Sequence, residues 1–151
     1  MSIEQDIKQE KFQNDYHKAS INILYTGSWL YNVHATHLKK FDITPEQFNV
    51  LRILRGAHPQ SMMLAEVSAR MIDKNSNCTR LVEKLRQKSL VSREIRADNR
   101  RQVDIRVTDK GLTLLKKMDA DDRDASFLSV FENLTKKETR ELNRILDKLR
   151  G

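Results

Sequence analysis

The hydrophobic pattern changes period once along the stretch 75–111. On a helical wheel advancing about 100° per residue, Cys78, Leu81, Val82 and Leu85 share one side, the i, i+3, i+4, i+7 stripe of a helix with one buried face. Ser76, Arg80, Glu83 and Gln87 point the other way, flanked by Asn77, Thr79 and Lys84. Beyond Ser89 the period drops to two. Val91 and Ile95 share one face of a first strand, and Val103, Ile105 and Val107 alternate with Gln102, Asp104 and Arg106 in a second. Residues 97–101 are the expected turn between them.

The remaining pattern is helical. From Ile7 to Phe41 the apolar positions Phe12, Tyr16, Ala19, Ile23, Leu30, Val33, Leu38 and Phe41 predict one long helix or two in series, with Gly27-Ser28 as the weak point. Such an element would run about 50 Å, longer than a domain of this size is wide, so part of it must pack outside its own core. Thr44-Pro45-Glu46-Gln47 is a helix start with an N-cap, a proline at the first position and a capping box. Phe48, Val50, Leu51, Ile53 and Leu54 supply its buried side, and Gly56 with Pro59 ends it. A shorter helix over Leu64 to Met71 and a turn at Ile72 to Lys74 lead into the central helix. Three helices followed by a hairpin form a winged helix-turn-helix. Thr108 caps a further helix with Leu112, Leu115 and Met118 inward. After the acidic run Asp119 to Asp124 come Phe127, Val130, Phe131 and Leu134. A second capping box, Thr135 to Glu138, opens a last helix striped by Leu142, Ile145, Leu146 and Leu149.

The expected fold is therefore mainly α with a small β-hairpin wing. Residues 43–111 form the winged helix-turn-helix domain, and residues 1–42 and 112–151 form a helical dimerisation region. A second copy of the chain is the economical partner for the long helix, since two-fold dimers are the commonest oligomers.

Charge changes the picture from fold to partner. The chain of 151 residues has a formal net charge of +7. Residues 1–73 are net neutral, 74–117 carry a net +8, and 118–151 a net −1. The whole excess lies on the central helix and hairpin, as expected of a surface that meets phosphates. No apolar run approaches the roughly 18 residues of a membrane span, and the N-terminus is too charged for a signal peptide, so a soluble, cytoplasmic protein is expected. Cys78 is the single cysteine and cannot form an internal disulfide. A phosphate-cradling glycine loop, a nucleophile motif and a metal-ligand set are all missing from the sequence, which argues against an enzyme and implies no cofactor. His34 and His37 lie three apart without a Cys, Asp or Glu at ligand spacing, so no metal site is expected.

These residues resemble a known family. Asp98-Asn99-Arg100-Arg101-Gln102-Val103-Asp104-Ile105-Arg106-Val107-Thr108, followed by Asp109-Lys110-Gly111, is similar to the wing signature of the MarR (multiple antibiotic resistance regulator) family. Thr79-Arg80-Leu81-Val82 with Leu85 and Leu90-Val91 looks like that family's recognition helix and its exit. Ile43-Thr44-Pro45-Glu46-Gln47-Phe48 with Leu51 and Leu54 looks like its second helix. The match covers roughly residues 43–111 and departs from the pattern at Ser89, where many members have glycine, and around Ser61 to Leu64. The resemblance implies a dimeric winged-helix transcriptional repressor or activator, of a kind often released from DNA by a small phenolic or lipophilic ligand or by thiol oxidation, with a repressor the first expectation.

In a winged helix the recognition helix enters the major groove N-terminus first. That places Ser76, Asn77, Thr79, Arg80 and Lys84 closest to double-stranded DNA, with Arg80 able to donate a bidentate pair to guanine. Arg100 and Arg101 at the wing tip would reach the adjacent minor groove. Asp98 would hold Arg100 by a charge-assisted hydrogen bond. A dimer of such readers suits a palindromic operator. Trp29, Tyr31, His34, His37 and Phe48 are the candidate lining of an effector cleft where the resemblance puts one, or else core and interface packing. Cys78 falls inward, where a free cysteine acts as a small hydrophobe, while its place at a helix N-terminus keeps a thiol-oxidation response open. An architectural protein binding DNA without sequence preference is the other alternative.

Overall fold

The computed structural model describes residues 2–96, 99, 102–125 and 127–151, the side chains of 121–125 excepted. Its elements are α1 (Ile3–Ile7), α2 (Asp15–Lys39), α3 (Pro45–Ala57), β1 (Met62–Met63), α4 (Leu64–Arg70), α5 (Cys78–Gln87), β2 (Val91–Ile95), β3 (Val103–Val107), α6 (Asp109–Ala125), a 3-10 turn at Phe127–Asn133, and α7 (Lys136–Arg150). Among the described residues no helix is long and apolar enough to cross a membrane.

The N-terminal pattern resolves into a short helix and a long one. Lys8 closes α1 in the left-handed region, and Asn14 caps α2 by accepting a hydrogen bond from the His17 amide at 2.9 Å. Gly27 does not interrupt α2, which runs unbroken for 25 residues. The capping boxes form where the sequence placed them. Thr44 Oγ1 accepts from the Gln47 amide and Gln47 Oε1 accepts from the Thr44 amide; Thr135 and Glu138 repeat the arrangement.

Among the described residues one hydrophobic core joins the winged helices and strands to the end of α2 and the middle of α6. Val50, Leu51 and Leu54 of α3, Val67 of α4, and Cys78, Val82 and Leu85 of α5 are buried in it with Ile105 and Val107 of β3. Leu38 at the end of α2 and Leu115 and Met118 of α6 lie in the same cluster. Burial of each such leucine contributes about 1.5–3 kcal/mol, so the end of α2 and the middle of α6 are held firmly to the winged core. The apolar stripe of α7 behaves differently: Leu142, Ile145 and Leu149 stay exposed in the single chain, with Leu149 at 65%.

The sheet has three strands in the order β1-β3-β2, all antiparallel. The period-two pattern in the sequence predicts only the hairpin. The third strand is the two-residue β1, with Met62 opposite Ile105, inside the segment that matched its family pattern poorly. In the hairpin Val91 faces Val107 and Ile95 faces Val103. Val91 is buried but Ile95 is 66% exposed, because the wing projects past the core it springs from.

The turn leaving α5 is a Schellman motif. The Leu90 amide donates to the Leu85 carbonyl at 2.9 Å and the Ser89 amide to the Arg86 carbonyl at 2.8 Å. This requires left-handed backbone at Ser89, whose φ is 59°. Serine has thus kept the glycine geometry rather than changed it. Thr108 clamps the turn from the other side, its hydroxyl donating to the Ser89 carbonyl at 2.7 Å and its amide to the Leu90 carbonyl at 3.1 Å. Gly111 sits against the same strand of chain: an added Cβ would lie 2.3 Å from the Leu90 carbonyl oxygen and 2.8 Å from a Val107 methyl. Two substitutions should therefore move stability in opposite directions. Ser89→Gly should raise the unfolding free energy by about 0.5–1 kcal/mol by relieving the left-handed strain. Gly111→Ala should lower it by about 1–3 kcal/mol through overpacking against backbone. Urea denaturation followed by circular dichroism checks both.

Candidate nucleic-acid interface and effector chamber

The reading edge is built by the start of α5. Asn77 caps the helix, its side-chain carbonyl accepting from the Arg80 amide at 3.0 Å, and this fixes the first turn with Asn77, Thr79 and Arg80 exposed. Lys84, one turn on, is exposed as well. The opposite face is the buried stripe of Cys78, Val82 and Leu85. Glu83 is held by Arg86 in a two-pronged pair at 3.0 and 2.8 Å, which keeps its carboxyl below the ordinary carboxylate range. Ser76 departs from expectation. It precedes the helix rather than lying on its outer face, and its hydroxyl oxygen is buried without a hydrogen-bond partner. The residue as a whole is half-buried and borders a surface hollow with Asn77, Arg80 and Lys84. Cys78 is 6% exposed and packed in the core.

The wing stands beside this edge. Thr79 and Val82 of α5, Arg93 of β2, and Gln102, Val103 and Ile105 of the second wing arm line a single groove of about 440 Å³, so recognition helix and wing open to the same side. Toward the tip of the wing, just beyond the Ile95–Val103 pair, the Arg96 guanidinium donates to Gln102 Oε1 at 3.3 Å and lies 3.9 Å from Asp104. Neither Arg93 nor Gln102 was singled out from the sequence; strand alternation alone does not tell which face of the wing meets the helix. Asp98, Arg100 and Arg101 lie outside the described residues.

A second space, of about 290 Å³, lies between α2 and the winged core. Tyr31, His34 and Phe48 line it. Trp29 and His37 do not: Trp29 faces the space beside α1, and the His37 ring lies against Phe41 at 6.1 Å. The helical wheel explains this, since at about 100° per residue Trp29 falls far round α2 from Tyr31 and His34. Phe127, Arg52 and the turn Met71-Ile72-Asp73 complete the wall, contributions that only the tertiary fold brings in. The His34 ring stacks on Phe127 with centroids 4.4 Å apart and meets Phe48 edge-on at 5.3 Å. Arg52 sits 5.9 Å from the centre of the Phe48 ring.

At the rim of this chamber Tyr31 Oη donates to Glu46 Oε1 at 2.8 Å, tying α2 to the first turn of α3. Burial pushes the Glu46 carboxyl up, but hydrogen bonds from Tyr31, from its own backbone amide and from Thr44 prevail and hold it below the ordinary range. The same bond, aided by burial, raises the Tyr31 hydroxyl. On the floor, the Ile72 amide donates to Asn49 Oδ1 at 2.9 Å, joining α3 to the turn that leads into α5.

Comparison with known proteins agrees with this geometry. The MarR family model matches residues 43–103, from the start of α3 through the wing. The HTH-type transcriptional repressor IacR of Pseudomonas putida is 29% identical over 126 residues, or 79% of this chain and 74% of IacR. A MarR transcription factor from Planctomyces limnophilus shares 27% identity and superposes with a TM-score of 0.69, covering 91% of this chain and 98% of that one. A mutant MarR from E. coli, solved in complex with operator DNA, has the same fold with a TM-score of 0.79 at 22% identity, covering 93% and 99% of the two chains. Family model, sequence relative and fold converge on the elements that carry the basic helix and its wing, and over residues 43–103 the chain is similar to the MarR family.

Proposed function

We propose that this chain is a homodimeric, sequence-specific reader of double-stranded DNA that represses transcription and is released by a small ligand. The observation that carries the reading is the common groove of Thr79 on α5 and Arg93 and Gln102 on the wing, beside the exposed Asn77, Arg80 and Lys84. A helix N-terminus and a basic ribbon opening to one side match the way a winged helix straddles a major groove and the minor groove next to it. In this reading Asn77, Thr79 and Arg80 meet base edges and phosphates, and Lys84 meets a phosphate. Arg100 and Arg101 enter the minor groove, with Asp98 orienting Arg100. The excess of positive charge on residues 74–117 supports it, as does the operator complex of the E. coli relative.

Pairing of two copies rests on the exposed apolar faces of α2 and α7. Tyr16 and Leu24 on the one, and Ile145 and Leu149 on the other, lie open in the single chain. Contiguous apolar faces of this kind mark association surfaces. Residues 1–42 and the C-terminal part of 112–151 thus serve as the dimerisation region, and residues 43–111 as the reading domain. The aromatic chamber between the two regions is the effector site.

Three outcomes test these assignments. Arg80→Ala should weaken operator binding and relax the preference at one base pair of each half-site by about 1–3 kcal/mol, measured by quantitative gel shift on a substituted operator series. Arg100→Ala should weaken binding to all sequences alike and reduce the slope of log affinity against log salt by about 0.9 per site. Ile145→Lys combined with Leu149→Lys should give a folded monomer by sedimentation and circular dichroism. A dimer of unchanged stability would overturn the α7 interface.

A further inference from the structure

The two faces of the wing differ in charge. Side chains alternate along a strand, so the pairs Val91 with Val107, Arg93 with Ile105 and Ile95 with Val103 share one face, which carries aliphatic residues, one cation and no acid. The other face carries Ser92 opposite Arg106 and Glu94 opposite Asp104, with Arg96 and Gln102 beyond them. Its arginines are already engaged. Arg96 lies 3.9 Å from Asp104, and the Arg106 guanidinium donates to the Pro59 carbonyl at 2.9 Å. A polyanion laid on that face meets the carboxylates of Glu94 and Asp104, whereas the first face offers it Arg93 alone.

The acid-free face is also the one that turns toward the recognition helix. Arg93, Val103 and Ile105 share their groove with Thr79 and Val82 of α5. Glu83, the α5 carboxylate whose field Arg93 reaches, is held by both prongs of Arg86. At its root this face is buried core, Val91, Ile105 and Val107; at its outer end Val103 is half-buried and Ile95 open. A solitary exposed isoleucine needs no explanation. Ile95 is instead the last member of an apolar stripe that leaves the core and runs outward past an exposed arginine.

A duplex supplies a partner with the same alternation. A helix in a major groove and a wing in the next minor groove have one sugar–phosphate strand between them, because that strand is the wall dividing the two grooves. Its anionic phosphates alternate with deoxyribose rings whose carbon faces are apolar. We propose that the groove between α5 and the wing seats this strand, with Arg93 on a phosphate and the Ile95–Val103 pair packed against the neighbouring deoxyribose. The proposal rests on the reading of the chain as a winged-helix DNA reader and adds an apolar contact outside the basic residues. Such a contact releases no counterion, so salt does not screen it. Every nucleotide carries the same sugar, so it confers affinity without sequence preference.

The probe is a duplex selected from random-sequence DNA by the wild-type protein. Binding is measured by gel shift over a range of salt and on base-substituted duplexes, sugar accessibility by hydroxyl-radical cleavage of the bound duplex, and association by sedimentation. Ile95→Thr keeps a β-branched side chain at an exposed strand position and should weaken binding about four-fold per wing, the scale of one buried methylene. The slope of log affinity against log salt should not change, and Ile95→Val should lose less than Ile95→Thr. Cleavage should reappear at the sugars packed on Ile95 while the rest of the footprint stays. Arg93→Gln should instead lower the salt slope by about 0.9 per wing. An Ile95→Thr variant that binds like the wild type, changes the salt slope as Arg93→Gln does, or relaxes the preference at a base pair would overturn the seat. A change in sedimentation alone would also overturn it, by assigning the patch to a protein contact. Failure of the wild-type protein to bind any duplex would remove the DNA-reading function and the seat with it, whereas wild-type binding beside an unaffected Ile95→Thr counts against the seat only.

Discussion

Leu38, Leu85 and Leu115 are buried in one cluster, and this shared burial is the constraint from which the rest of the architecture follows. Leu38 closes α2, Leu85 anchors the recognition helix, and Leu115 belongs to the first half of α6. Separate cores would have left the terminal helices free to swing relative to the reading head. A common core instead fixes where α2 leaves the winged domain and therefore where the space between them opens. Polar ties around the periphery reinforce the placement: Arg55 of α3 pairs with Asp119 of α6 at 2.7 Å, and Lys88 after α5 pairs with Asp42 after α2. Exposed pairs contribute little singly, about 0–1 kcal/mol, so they set the angle of the elements more than the stability of the fold.

The exit of α5 illustrates how backbone accounting shapes the reading head. Orphan carbonyls at the end of a helix must be satisfied. Here the Schellman turn at Ser89 does this for Leu85 and Arg86, and the amide and hydroxyl of Thr108 take the next carbonyls, Leu90 and Ser89, leading the chain directly into β2 and fixing where β3 hands over to α6. Lys110 adds a hydrogen bond to the Lys88 carbonyl at 2.9 Å. The wing therefore leaves from a rigid root, and Arg93 is held beside Thr79 by the same geometry that ends the helix. Gly111 belongs to this root because the chain passes too closely there to admit a side chain.

Local chemistry made most elements legible in the sequence. The Thr44–Gln47 and Thr135–Glu138 boxes announced α3 and α7, and the i, i+3, i+4, i+7 stripe announced α5, because capping and amphipathicity act within one or two turns. Features decided at long range were not legible. The two-residue β1 exists only because Met62 finds Ile105 far along the chain, and no periodicity can appear in two residues. Phe127 and Arg52 join the chamber through tertiary packing. Other misses were local and readable: Asn14 is a standard N-cap that marks the break before α2, and the wheel separates Trp29 and His37 from Tyr31. Ser76 was misplaced because the helix was taken to begin before it, whereas the cap falls at Asn77.

The hydrogen bond from the Ile72 amide to Asn49 acquires its meaning from its position. It joins the middle of α3, whose residues wall the aromatic chamber, to the turn only a few residues before the recognition helix. A body wedged against Met71 and Ile72 cannot displace that turn without also pulling on α3, so the strain reaches the first turn of α5 along covalent and hydrogen-bonded paths rather than through solvent. Thermodynamic linkage then runs both ways. If the proposed effector role of the chamber holds, then by whatever factor its occupant loosens the grip of α5 on a duplex, the duplex loosens the chamber's grip on its occupant.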